Sequence, residues 1–144
     1  MNGIFEKYFS FQGRLGRLPY FVREVKLGIV FTVIFVLSIP AFSNGNGILW
    51  GIGLLLVVVA GAIYLGGVAS LIVRRLHDLG LPGYHAIWVA IALLLSNAAT
   101  YSHNLSVVLL NLPFIAVGLW ILFWPGQSGA NRFGEWQVAT KNVA

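Results

Sequence analysis

The chain contains no cysteine. That excludes a disulfide framework, thiolate metal sites and a cysteine nucleophile. Charge is scarce as well: charged residues are 9% of 144, where a soluble domain carries roughly 25%. The carboxylates are Glu6, Glu24, Asp78 and Glu135. Each has a basic neighbour, so a carboxylate pair for acid–base work is not expected. Most telling are the stretches with no charge at all. None falls between Leu27 and Val73, and none between Leu79 and Asn131. Either stretch is long enough to cross a bilayer twice, because one crossing takes about 20 mostly apolar residues.

What is present is oil: 58% of the residues are hydrophobic. The expectation is a single all-α domain, an integral membrane four-helix bundle. The first span is read from about residue 19 to 39, closed by Pro40 and "SNGNG"; the second runs from 48 to 73. The third, 84–98, is short, and the fourth, 105–124, contains Pro113 as a potential kink. The first apolar run begins only after Lys26, with no cleavage site behind it, so removal of a signal peptide is not expected.

With four spans, both tails and the middle loop share one side. Lys7, Arg14, Arg17, Arg23, Lys26, Arg74, Arg75, Arg132 and Lys141 all fall there. The opposite loops, around 40–47 and 97–106, hold no lysine or arginine. Basic residues stay cytoplasmic, so both termini are expected in the cytoplasm. The net charge of +5 is assigned to topology and anionic lipid rather than to nucleic acid. Trp50, Tyr101, Tyr84 and Trp124 fall near predicted boundaries, where amphipathic rings favour the headgroup level. In "GIFEKYFSF", Phe5, Tyr8 and Phe9 recur at helical spacing, predicting a short interfacial helix. Ala62, Gly66 and Ser70 form a small-residue stripe on the second span, as do Ala86 and Ala90 on the third. Such stripes let helices approach closely, within a chain or between chains.

Three glycine–arginine motifs border the charged layer: "FQGRLGRLPYF" (11–21), "RRLHDLGLPGY" (74–84) and "WPGQSGANRFGEW" (124–136). Glycine permits tight turns, and arginine offers a planar fork for carboxylate or phosphate. Asp78 lies three and four residues from Arg75 and Arg74, helical neighbours if the second helix continues; Arg14 or Arg17 is within reach across the layer. The site expected from this pattern is a polar network or anionic headgroup site of Arg14, Arg17, Arg74, Arg75, His77, Asp78, Asn131 and Arg132. Asp78 would be the acceptor hub, and Asn131 would help bend the C-terminal segment under the bundle. The bland reading is that these residues simply fix helix ends and topology.

Catalysis fits poorly. His77 and Asp78 are adjacent rather than at metal-ligand spacing, and His103 is assigned to the opposite face from His77 and His85. No serine sits in a G-x-S-x-G elbow, and "PGQSGANRFG" lacks the G-K-[ST] of a phosphate-binding loop. No enzyme activity, cofactor or metal is expected. A transport pathway would need an ionisable group within the spans, and beyond Arg23, Glu24 and Lys26 there is none.

In these three motifs the chain resembles the domain-of-unknown-function 805 family of small bacterial inner-membrane proteins. The resemblance rests on Phe11, Gly13, Arg14, Arg17 and Phe21; on Arg74, Arg75, Leu76, His77, Asp78 and Gly80; and on Pro125, Gly126, Gly129, Asn131 and Gly134. Pro82–Gly83 departs from the family's usual small polar residue and glycine, which alters a loop. The resemblance implies a four-helix inner-membrane protein with its signature residues on the cytoplasmic face, and no particular substrate. The function expected is interaction with anionic phospholipid or membrane partners through that layer. The alternative is a subunit of an oligomeric transporter or channel, with the Ala62/Gly66/Ser70 face as its seam.

Overall fold

The computed structural model describes residues 3–43, 45–91 and 105–135. Over these the chain is all-α, with five helices. They are α1 (Ile4–Phe9), α2 (Arg17–Ser43), α3 (Gly47–Asp78), α4, described over 85–91, and α5 (Leu105–Phe123). The outer part of the third predicted span lies outside the described residues, as do Tyr101, His103 and Lys141.

Local chemistry sets most helix ends. The first bond of α2 runs from Tyr20 N–H to the Gly16 carbonyl (3.0 Å), leaving Pro19 in the first turn, where its missing N–H has no partner to lose. The Asn46 side chain accepts from the N–H groups of Ile48 and Leu49 and so caps α3. At the other end, Gly80 N–H bonds His77 O and Leu81 N–H bonds Leu76 O (3.1 and 2.8 Å). Gly80 takes φ +80°. This is the Schellman arrangement, with Pro82 just beyond it to prevent resumption of the helix.

Two expected boundaries are corrected. The first span was expected to close at Pro40, yet α2 continues to Ser43. Proline cancels only the bond its own nitrogen would donate, and the turn after it still closes. Ser38 Oγ donates to Ile34 O and Ser43 Oγ to Pro40 O (2.8 and 3.1 Å). The second helix was expected to end near 73 but runs unbroken to Asp78. At about 1.5 Å per residue it far exceeds the roughly 30 Å of a hydrocarbon core. Its last turns carry Arg74 and Arg75 beyond the apolar stretch.

Helices α2 and α3 are long and apolar enough to cross a membrane, and they pack antiparallel. Phe31 stacks on Tyr64 at 5.0 Å between ring centroids, Leu27 fills the space over Gly67, and Ala41 lies over Gly53. Only 6% and 11% of their apolar windows are buried. A soluble protein would bury such helices, so this exposed oil points to a membrane location. The core cluster instead gathers at one end: Leu15, Tyr20, Leu71, Ile72, Leu76, Val89 and Ile121. The buried charged residues Arg14, Arg75 and Asp78 are at that same end.

Candidate functional site

The C-terminal turn of α3 carries a carboxylate into the protein. Asp78 is only 5% exposed. Its Oδ1 accepts from Arg14 Nε (3.2 Å) and its Oδ2 from Arg75 Nη1 (2.5 Å). Both arginines are almost wholly shut off from solvent, at 2% and 0% exposure. A charge buried alone would be very costly, and two guanidiniums on one carboxylate supply the compensation.

The rest of each guanidinium engages backbone. Arg14 also donates to the carbonyls of Gln127 and Gly129. Arg75 donates to those of Ile121 and Trp124, and Arg17 reaches Phe123 O (3.3 Å). The last carbonyls of α5 have no helical partners; here cations satisfy them at the negative end of the helix dipole. Asp78 is thus the acceptor that holds two arginines in position to cap α5 and clamp the segment after it.

That segment passes very close. Gln127 N–H donates to Asp78 O (2.8 Å), and a Cβ on Gly126 would lie 2.1 Å from Asp78 Oδ2. No side chain larger than hydrogen fits there. The segment then turns: Asn131 and Gly134 exchange both backbone bonds, and Asn131 Oδ1 accepts from Phe133 N–H (2.9 Å). Asn131 Nδ2 donates to His77 O (2.9 Å), which ties the turn to α3. The Phe133 ring stacks on His77 (centroids 3.9 Å apart, 5° between planes), and the Arg132 guanidinium lies over the Phe133 ring, 4.6 Å from its centroid. His77 Nδ1 contacts Gly13 O (3.2 Å).

Of the residues singled out from sequence, Arg14, Arg75, His77, Asp78 and Asn131 come together in this cluster. Arg17 borders it through α5, and Arg132 lies on its exposed side. Arg74 does not reach Asp78, although its spacing allowed it. It donates to Lys7 O (3.1 Å), and so does Arg23 (3.2 Å). The small stripe on α3 is likewise used inside the chain. Phe9 lies over Gly66, and Ser70 Oγ donates to Ser10 O (2.5 Å). The sequence reading had no role for Gln127, Phe133 or the α5 carbonyls. Backbone acceptors carry no residue signature, and Phe133 gave only its place in the motif.

Among the described residues, the ion pairs are those of Arg14 and Arg75 with Asp78. No group of three or more histidine, cysteine or acidic side chains there could hold a metal. A family model described as protein of unknown function (DUF805) matches residues 8–135. No curated protein and no solved structure matches the chain.

Proposed function

We propose, because the chain belongs to the DUF805 family and divides its cations into a buried set and an open set, that it is a lipid-engaging protein of the bacterial inner membrane. It crosses the membrane four times with both termini in the cytoplasm, and α1 lies on the inner leaflet. The buried set, Arg14 and Arg75 on Asp78, fastens the helix ends. The open set, Arg17, Arg23, Lys26, Arg74 and Arg132, engages anionic phospholipid headgroups. The role is non-enzymatic.

One observation carries this reading. Among the described residues no carboxylate lies within ion-pair distance of the open set, so the charge of these cations is not neutralised by an ion pair there. A row of basic groups at a cytoplasmic membrane face attracts anionic lipid by about 1 kcal/mol per residue. The small-residue stripe does not favour the oligomeric alternative, since α1 covers Gly66 and Ser70.

The test compares the full chain in nanodiscs of phosphatidylcholine alone and of phosphatidylcholine and phosphatidylglycerol in equal parts. Phosphatidylglycerol should raise the thermal midpoint, and added salt should diminish the gain by screening. Equal midpoints in the two lipids would overturn the reading.

A further inference from the structure

We propose that Arg23 and Arg74 form a binding site for the phosphodiester of one anionic phospholipid, with α1 as its apolar rim. The inference rests on the lipid-engaging reading above and names where the tightest lipid sits. The site is separate from the Asp78 cluster.

Two guanidiniums from different helices converge on one acceptor, the Lys7 carbonyl, at 3.2 and 3.1 Å. Each guanidinium has five donors, and one carbonyl oxygen has only two lone pairs to offer them. Arg74 Nε is closed off from solvent and has no acceptor among the described residues. The two cations are near enough to repel one another. Glu6 acts on Arg74 electrostatically yet makes no ion pair with it among those found. What this arrangement lacks is an anion with several oxygens.

A phosphodiester has the matching chemistry: one negative charge and two non-bridging oxygens that can lie between two planar forks. The surroundings select a lipid as its source. Both arginine–carbonyl contacts are open to the exterior. Beside them α1 presents Ile4 and Phe5 outward, at 79% and 76% exposure. Apolar side chains next to a cationic pair suit the boundary between headgroup and acyl chain.

The experiment is native mass spectrometry of the full chain released from the mixed nanodiscs. Variants are Arg23→Gln/Arg74→Gln, Arg23→Lys/Arg74→Lys and, as a control away from the basic layer, Gly118→Ala, whose added carbon meets nothing within 4 Å. Wild type should retain one phosphatidylglycerol in preference to phosphatidylcholine. The glutamine pair should weaken that retention about tenfold or more, as expected for losing charge-assisted bonds. The lysine pair should fall between, keeping charge but losing the fork, and the control should retain the lipid. Excess inorganic phosphate should not displace it. Displacement by phosphate would make this a simple anion site and overturn the lipid assignment. If wild type shows no preference for phosphatidylglycerol, the broader reading fails. If the preference persists undiminished in the glutamine pair, only this site fails. Should that pair not fold, photoreactive phosphatidylglycerol applied to wild type decides: label on residues 5–10 and 70–74 supports the site, and label confined elsewhere overturns it.

Discussion

Asp78 shows how one side chain can govern contacts far from it in sequence. It fixes Arg14 and Arg75, and those arginines in turn hold the carbonyls of Ile121, Trp124, Gln127 and Gly129. Replacing Asp78 with alanine leaves two buried guanidiniums without their acceptor. Breaking one side of a buried ion pair costs about 3–5 kcal/mol, so Asp78→Ala should sharply lower the thermal midpoint in detergent. Gly126→Ala should also destabilise, because its Cβ would collide with the same carboxylate. Gly118→Ala serves as the comparison, having nothing within 4 Å of its added carbon, and should be neutral or mildly stabilising. Midpoints for Asp78→Ala and Gly126→Ala matching wild type would sink the hub.

Along α3, two lines of small residues serve two partners. Gly53, Ala60 and Gly67 recur every seven residues, with Val57 and Tyr64 between them and Leu71 next in line, and this line is less exposed than most of the helix. It is the seam toward α2, where Ala41 and Leu27 approach the glycines; a seven-residue repeat keeps such a seam facing its partner. Gly66 and Ser70 lie on a second line and receive α1 through Phe9 and Ser10. A helix of six residues is not stable alone, so α1 depends on this docking. Ser70→Ala should cost about 1 kcal/mol through its lost hydrogen bond, and Gly66→Val should crowd the Phe9 ring. Each should speed tryptic cleavage after Lys7 in the otherwise intact protein. Unchanged cleavage in both variants would mean that α1 is held by other contacts.

For the whole molecule, the polar chemistry gathers at one end of a mostly apolar body. The start of α2, the end of α3, the end of α5 and the turn at 131–134 meet there, linked by the arginine bonds described above. The proposal that this end is cytoplasmic follows from the distribution of basic residues. A green fluorescent protein fused at the C-terminus should therefore fluoresce, and alkaline phosphatase fused within 43–47 should be active outside the inner membrane. The opposite pattern would invert the proposed topology and, with it, the leaflet available to the open arginines.

The sequence by itself determined that long helices would carry an exposed apolar surface, and that the charges would collect beside the glycine motifs. Hydropathy and charge spacing add up along the chain, so they need no partner to be read. The caps at Asn46 and Gly80 are local in their chemistry, yet hydropathy ended the second span near 73 because it marks where the apolar run stops and not where the helix does. Only the tertiary structure decided which arginine meets which acceptor. Arg74 and Arg75 are adjacent, but neighbours on a helix diverge by about 100° around its axis. One therefore faces α1 while the other faces Asp78 and α5. Arg14 finds Asp78 across 64 residues and Gln127 across 113. Spacing along the chain carries no information about such meetings, which packing alone brings about.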